Sequence, residues 1–232
     1  IMNSAANVVN IVFNSVLSSF GNLIATESKD RQYELFKVYR FAASWIYGFA
    51  AVGFAILLTP FITLWVGAER TLAFSVIGCI LIDFYFKGER IVLSNFKTAA
   101  GVFEQDKYLA LIQGVVNLVI SIVLVVRIGL VGVYIGTIVS GLIANVTKPI
   151  IIYHVILDRK AGEYFRDSVK YCLMLAGQFA LFYGISKVVM PVVTMQSFLI
   201  MFVIISILFN VIFAVLFWKT GEFQYLVTIV KG

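Results

Sequence analysis

The chain has 232 residues, of which 61% are hydrophobic and only 13% are charged, and its formal net charge is +6. Soluble domains contain about 45–50% apolar and about 25% charged residues, so this composition indicates an integral membrane protein. Cys79 and Cys172 lie in apolar runs, and His154 is the single histidine, so the sequence predicts neither a metal site nor a cofactor. Lys and Arg collect in the loops of membrane proteins, so the positive charge does not indicate nucleic-acid binding.

In chain order, seven apolar segments reach the length of about 20 residues that crosses the hydrocarbon core of a bilayer. They are residues 4–26, 38–66, 72–101, 109–126, 128–153, 169–190 and 197–218. We therefore predict an all-α integral membrane protein with seven helices. In this prediction residues 1–153 form five spans, 154–168 a cytoplasmic connection, 169–218 the last two spans and 219–232 a cytoplasmic tail. The chain opens inside an apolar stretch, which indicates the C-terminal part of a longer protein.

Basic residues at the ends of the predicted spans predict the orientation. One set of connections holds thirteen Lys and Arg residues, and the alternate set holds Arg70, Arg127 and Lys187. Because Lys and Arg accumulate on the cytoplasmic side, the richer set and the C-terminus are expected there. The thirteen are Lys29, Arg31, Lys37, Arg40, Lys97, Lys107, Lys148, Arg159, Lys160, Arg166, Lys170, Lys219 and Lys231.

The third predicted span carries charges at its centre. Asp83, Lys87, Arg90, Ser94 and Lys97 fall within about 80° of one another on a helical wheel, and we call them the charged stripe. A charge at the bilayer centre costs about 2.5–3.5 kcal/mol on insertion scales, so the stripe is expected to face protein or water. Its single carboxylate neutralises one cation. The stripe is therefore net positive and suits an anion such as a phosphate.

Two other predicted spans carry uncharged polar residues at the same spacing. The first has Asn3, Asn7, Asn10, Asn14 and Ser18, and the fourth has Gln113, Asn117 and Ser121. Such seams either line a hydrated cavity or hold helices together through hydrogen bonds, and the pattern leaves both open. An ion pair between Asp83 and Lys87 likewise offers a structural role for part of the stripe. Glu89 lies off the stripe and either pairs locally or faces another helix.

Small and helix-breaking residues predict local packing. Pro60 lies inside the second predicted span, where it removes a helix hydrogen bond and predicts a kink near the outer end. The fifth predicted span has a surface with little side-chain bulk, which favours close contact with another helix. Its glycines are Gly129, Gly132, Gly136 and Gly141.

Several short motifs lie in a fixed order along the chain. They are residues 21–27 (GNLIATE), 45–49 (WIYGF), 60–67 (PFITLWVG), 100–103 (AGVF), 117–121 (NLVIS), 129–132 (GLVG) and 136–137 (GT). Over residues 10–150 their order and spacing resemble the polysaccharide flippases of the multidrug/oligosaccharidyl-lipid/polysaccharide exporter superfamily. The residues after position 165 carry no motif of that family.

The resemblance implies a multi-pass protein of the bacterial cytoplasmic membrane, with about 12–14 spans in two lobes around a central cavity. The seven predicted spans would be the second lobe without its first helix, followed by the last two helices. Such proteins move lipid-linked saccharide repeat units across the membrane by alternating access for polysaccharide synthesis. The implied partners are the lipid-linked oligosaccharide, membrane lipids and other membrane proteins of polysaccharide assembly.

Together, the charged stripe and the resemblance assign roles to residues. Lys87 and Arg90, beside Asp83 and Ser94, are expected to hold the pyrophosphate of an undecaprenyl-pyrophosphate oligosaccharide. Lys97 is expected to capture this anion at the cytoplasmic mouth of the cavity. The side chains expected to bind sugar hydroxyls are Asn7, Asn10, Asn14, Gln113 and Asn117.

Two alternatives belong to other classes of function. A cation-coupled drug or small-molecule exporter of the same fold would use Asp83 to carry a proton or a sodium ion. A membrane enzyme such as a glycosyltransferase would need catalytic groups on sizeable loops, and the connections on the outer side are too short to build such a site. The sequence therefore predicts a transporter and not an enzyme.

Overall fold

The computed structural model describes residues 2–15 and 17–231, and the side chains of residues 1–6, 8, 12, 16, 18 and 230–232 lie outside the description. The described residues form α-helices joined by short connections, without a β-strand. The helices are α1 (Met2–Ser15), α2 (Leu17–Thr26), α3 (Lys29–Val66), α4 (Phe74–Ala99), α5 (Leu109–Ile128), α6 (Leu130–Ile151), α7 (Gly162–Val189), α8 (Met195–Phe217) and α9 (Gly221–Lys231). A π-helical turn, Ile152–Ile156, extends α6.

Six helical segments in the described part of the chain are long and apolar enough to cross a membrane. They are Val9–Thr26, Lys29–Val66, Glu104–Ile128, Leu130–Ile156, Gly162–Val189 and Met195–Phe217. The protein is therefore an all-α, multi-pass membrane protein. The predicted span 72–101 is not among the six, because α4 carries too many charged residues at its centre to qualify by composition.

Helix α3 is the centre of the fold. It begins at Lys29, earlier than the predicted residue 38, because Ser28 caps its first turn by accepting a hydrogen bond from the backbone N–H of Arg31 at 3.4 Å. The helix then continues through Pro60 to Val66. Hydropathy missed the first turns because they are rich in charged residues.

Helices α7 and α8 pack along α3. The ring of Trp45 stacks on Phe213 of α8 with centroids 4.7 Å apart, and its indole N–H donates to Asn210 at 2.8 Å. Gly48 lets α7 approach closely, since a Cβ added there would lie 2.6 Å from a methyl carbon of Leu175. These contacts join the last two long helices to the central helix.

Helix α4 runs antiparallel to α3. Phe96 lies against Phe36 near one end, with ring centroids 5.0 Å apart, and Ile77 packs with Leu58 near the other end. From Ile77 to Phe96 the helix rises by about 28 Å. This rise matches the hydrocarbon thickness of about 30 Å, and α4 therefore covers the same depth as an apolar span.

Four connections meet at one end of the helix bundle. The ammonium group of Lys29 donates to the carbonyl oxygen of Ile156, and the Nζ atom of Lys37 lies 3.5 Å from a carboxylate oxygen of Glu222. The contact between the rings of Phe36 and Phe96 brings the end of α4 to the same place. We call this the basic end, because these connections belong to the set in which the sequence concentrates Lys and Arg.

Helices α5 and α6 form a tight hairpin. Gly129 joins them with a φ of 63°, which glycine adopts easily and other residues adopt at a cost. A Cβ on Gly132 would lie 2.5 Å from the backbone carbonyl carbon of Leu124, and a Cβ on Gly136 would lie 2.3 Å from the Oγ atom of Ser121. The close packing predicted for Gly132 and Gly136 is confirmed.

This packing predicts that Gly132→Ala loosens the hairpin. The new methyl group meets backbone atoms that cannot rotate away, so we expect a loss of about 1–3 kcal/mol in the free energy of unfolding. Unfolding of the purified protein in mixed micelles with increasing dodecyl sulfate measures this loss. Gly114→Ala in α5 is the matched control, because a Cβ at Gly114 meets nothing described within 4 Å. Equal stability of the two variants would contradict the close packing.

Candidate functional site

The first half of the charged stripe is an ion-paired group of three side chains. One oxygen of Asp83 lies 2.6 Å from the Nζ atom of Lys87, and the other lies 3.8 Å from the Nη2 atom of Arg90. The side chains of Asp83 and Arg90 are mostly buried, whereas that of Lys87 is 60% exposed. Lys87 is therefore the open end of the group.

Helix α6 holds Arg90 in place. The Nη1 atom of Arg90 donates to Oδ1 of Asn145 at 3.0 Å, and the amide of Asn145 donates to the carbonyl oxygen of Phe86 at 3.3 Å. A Cβ on Gly141 would lie 2.5 Å from the same Nη1 atom. Gly141 therefore makes room for the guanidinium group, a more specific role than the general packing that the sequence predicted.

The second half of the stripe lies toward the basic end and has partners that the sequence analysis missed. The Nζ atom of Lys97 lies 2.6 Å from both carboxylate oxygens of Asp106, and both side chains are buried. The Nζ atom of Lys148 donates to the hydroxyl of Ser94 at 2.7 Å. Lys97, expected to be free for anion capture, is thus bound to a carboxylate within the chain.

The two halves of the stripe and their partners form one surface, which we call the α4–α6 face. Its members are Asp83, Lys87, Arg90, Ser94, Lys97, Asp106 and Lys148. It contains four cations and two carboxylates among the described residues, so its formal charge is positive by two. The cations are Lys87, Arg90, Lys97 and Lys148, and the carboxylates are Asp83 and Asp106. The face is net positive, as the stripe was expected to be, but the excess reaches two only because Lys148 is included, since Asp106 neutralises Lys97.

The polar seam of α5 mainly joins α5 to α6. The amide of Asn117 donates to the hydroxyls of Thr137 and Ser140, both at 3.2 Å, and the hydroxyl of Ser121 donates to the backbone of α6. Gln113 is half-buried and makes no hydrogen bond to another described side chain or backbone group. Helix packing thus uses Asn117 and leaves Gln113 available for a ligand.

The polar seam of α1 is divided. The side-chain oxygen of Asn10 accepts a hydrogen bond from the hydroxyl of Tyr47, whereas Asn7 and Asn14 are exposed. The side chains of Asn3 and Ser18 lie outside the described residues. Asn10 therefore contributes to packing, while Asn7 and Asn14 remain available to bind a ligand.

Glu89 faces α3 instead of the charged stripe. Its carboxylate accepts a hydrogen bond from the hydroxyl of Ser44 and lies 3.5 Å from the Nε atom of Arg40. The side chains of Glu89 and Arg40 are each only 4% exposed. The expectation that Glu89 faces another helix is confirmed, and its partner is a buried cation.

Arg40 connects this pair to α7. Its Nη2 atom donates to the carbonyl oxygen of Tyr164 at 2.9 Å and to the hydroxyl of Ser168 at 2.6 Å, and the guanidinium lies 3.6 Å from the centre of the Tyr164 ring. The assignment of Arg40 to a connection was therefore wrong. The signal that could have found it is the repeat of Arg40, Ser44 and Gly48 at every fourth position, which places polar and small residues on one helix face.

Comparison of the chain with models of protein families, with curated proteins and with solved structures found no match. The described residues also contain no group of three His, Cys, Asp or Glu side chains that could hold a metal ion. A function is therefore inferred from the geometry of the α4–α6 face together with the motifs in the sequence.

The buried pair predicts a large effect of removing one charge. Glu89→Gln keeps the shape of the side chain but leaves the charge of Arg40 without its partner, so we expect a loss of about 3–5 kcal/mol in the free energy of unfolding. The double variant Arg40→Met with Glu89→Gln removes both charges and should lose less. Dodecyl sulfate unfolding of the purified variants measures both losses.

Arg166→Met is the matched control for this experiment. Its guanidinium lies 3.8 Å from Glu163, but the Arg166 side chain is 65% exposed, and such surface pairs contribute about 0–1 kcal/mol. A loss from Glu89→Gln as small as that from Arg166→Met would show that Arg40 is not held by a buried charge.

Proposed function

We propose that the chain forms the second lobe and the C-terminal helices of a transporter that flips undecaprenyl-pyrophosphate-linked oligosaccharides across the bacterial cytoplasmic membrane. The supporting observation is the α4–α6 face, a net-positive surface at membrane depth with an exposed cation, Lys87. The proposal also draws on the motifs that resemble polysaccharide flippases. Alternating access of two lobes around this surface would move the substrate.

The proposal treats α4 as a seventh membrane-spanning helix. Helix α4 lies along α3 for about 28 Å, so its charged centre is at the depth of the hydrocarbon core. Lipid contact there would cost about 2.5–3.5 kcal/mol for each charged side chain. A water-filled cavity, closed on its other side by a first lobe, removes this cost for Lys87.

The charge of the α4–α6 face favours an anionic substrate. Asp83 is already paired with Lys87 and Arg90, so one carboxylate serves two cations. Arg offers a planar fork of donors and Lys a compact charge, and both suit the oxygens of a pyrophosphate. In this proposal Lys87 and Arg90 hold the pyrophosphate, and Asp83 positions them.

The saccharide would meet uncharged polar groups. Asn7, Asn14 and Gln113 are the predicted sugar-binding residues whose side chains make no hydrogen bond within the described part of the chain. Amide groups donate and accept hydrogen bonds and therefore match sugar hydroxyls. The proposal assigns sugar contacts to these three residues and packing roles to Asn10 and Asn117.

The distribution of basic residues gives the proposed orientation in the membrane. The basic end would face the cytoplasm, because Lys and Arg concentrate on that side of membrane proteins. The lipid-linked oligosaccharide would enter the cavity from this end while its undecaprenyl chain stays in the bilayer. Membrane lipids and other membrane proteins of polysaccharide assembly would be the partners.

A cation-coupled drug exporter of the same fold is the alternative function. It would use Asp83 as the carrier of a proton or a sodium ion. Both oxygens of Asp83 already lie near cations, at 2.6 Å from Lys87 and 3.8 Å from Arg90. An entering cation would have to displace them, so the geometry favours the anionic substrate.

The proposal predicts that changing both Lys87 and Arg90 to Ala abolishes polysaccharide export by the complete transporter. Because the change leaves the carboxylate of Asp83 without its partners, a third substitution, Asp83→Asn, is compared in the same background, and this triple variant should insert normally but not export. Surface polysaccharide and the amount of protein in isolated membranes measure the two effects in cells that depend on this transporter.

Arg166→Ala with Lys170→Ala is the control for this loss of charge. It also removes two positive charges, but from exposed side chains at the basic end, and should leave export normal. Normal export by the Lys87 and Arg90 variant would contradict the proposed function.

A further inference from the structure

We propose that Lys148 and Ser94 form a separate oxyanion-binding position, nearer the basic end than Lys87. The inference rests on the proposed function for the identity of its ligand, a pyrophosphate. It assigns to Lys148 the capture role that the sequence gave to Lys97. Lys148 lies in the last turn of α6 and is half-buried.

Lys148 differs from the other cations of the α4–α6 face in its partners. Lys87, Arg90 and Lys97 each lie within 4 Å of a carboxylate oxygen. Among the described side chains Lys148 has no carboxylate within that distance, and its one hydrogen-bond acceptor is the neutral hydroxyl of Ser94. In the described part of the chain, the Lys148 ammonium therefore has no carboxylate in direct contact.

The surroundings of Lys148 increase the need for an anion. Lys97 and Arg90 are close enough to repel its charge, while Asp106, which attracts it, is already bound by Lys97 at 2.6 Å. A half-buried cation beside like charges is unfavourable unless a negative group neutralises it. A bound oxyanion would supply that neutralisation.

The donors at this position match the oxygens of a phosphate group. The hydroxyl oxygen of Ser94 accepts a hydrogen bond from Lys148, so the hydroxyl proton remains free to donate. The Lys148 ammonium has two further protons, and Arg90 lies one turn along α4 from Ser94. Ammonium and guanidinium donors make stronger hydrogen bonds to phosphate oxygens than neutral donors do.

The cations of the α4–α6 face lie at different distances from the basic end, and Lys148 lies nearer to it than Lys87. Ser94, the partner of Lys148, lies seven residues from Lys87 along α4, a separation of about 10 Å. An anion arriving from the basic end would therefore meet Lys148 first and Lys87 last, with Arg90 between them. Lys97 does not take part, because Asp106 neutralises it.

The experiment measures binding of inorganic pyrophosphate by calorimetry to the complete purified protein in nanodiscs of phosphatidylcholine. Loss of a charged hydrogen bond should make Lys148→Gln bind about 10-fold more weakly than the unchanged protein, while Lys148→Arg should keep the affinity within about 3-fold. Lys107→Gln is the control and should leave the affinity unchanged, because it removes one exposed positive charge near the same end.

Three results would overturn the inference. They are no binding of pyrophosphate by the unchanged protein, no effect of Lys148→Gln, and equal weakening by Lys107→Gln, which would indicate a general effect of charge. Failure of the proposed function is distinguishable. Pyrophosphate binding that depends on Lys148, combined with normal export by the Lys87 and Arg90 double variant, would leave this position standing and contradict the assigned transport role of Lys87 and Arg90.

Discussion

The structure depends on how α4 accommodates charge at the depth of the hydrocarbon core. Four charged side chains occupy two turns of this helix, and none can be left unpaired in lipid without a cost of several kcal/mol. Glu89 points into the protein and is paired with Arg40, whereas Asp83, Lys87 and Arg90 form a group on another face. On one face of α4 the charge is buried against α3, and on the other face the charges pair with one another.

The buried pair of Arg40 and Glu89 joins the central helices. Arg40 on α3 contacts Glu89 on α4 and Tyr164 on α7, so one guanidinium joins three helices. Ser44 supplies a further hydrogen bond to the carboxylate, but the distance of 3.5 Å between Arg40 and Glu89 leaves the pair looser than an ideal one. Replacing such a buried pair with apolar side chains is often neutral, whereas removing one partner is strongly destabilising. The α7 helix is thus tied to the part of the chain that carries the α4–α6 face.

Much of the fold is readable from the sequence because membrane helices must be long and apolar. Hydropathy found each long helix of the described residues, and the glycines of the fifth predicted span predicted a close helix contact, which the structure shows to be with α5. Hydropathy alone did not find the start of α3, because its first turns are charged. Nor did it separate the six apolar spans from α4, whose charges require tertiary partners to be tolerated.

The candidate site was predictable only in part, and for a physical reason. The stripe of α4 follows from helical periodicity, which places residues three and four positions apart on one face. Periodicity within one helix does not reveal which residues another helix brings to that face. Lys148 and Asn145 reach this face from α6, and Asp106 reaches it from the connection after α4. Only the three-dimensional structure therefore shows that Lys97 is paired with a carboxylate and that Lys148 is not.

The most direct test of this account is the hydration of Lys87. Single cysteines at positions 82, 85, 87 and 92 of a protein without Cys79 and Cys172 would be labelled from each side with a membrane-impermeant thiol reagent. Ile82 and Lys87 are both exposed, but only Lys87 lies on the charged stripe, whereas Tyr85 and Val92 are buried. If Lys87 faces a water-filled cavity, position 87 is labelled and the other three positions are protected. Protection of position 87 from both sides would contradict a hydrated cavity and make the charged stripe a dry contact between helices.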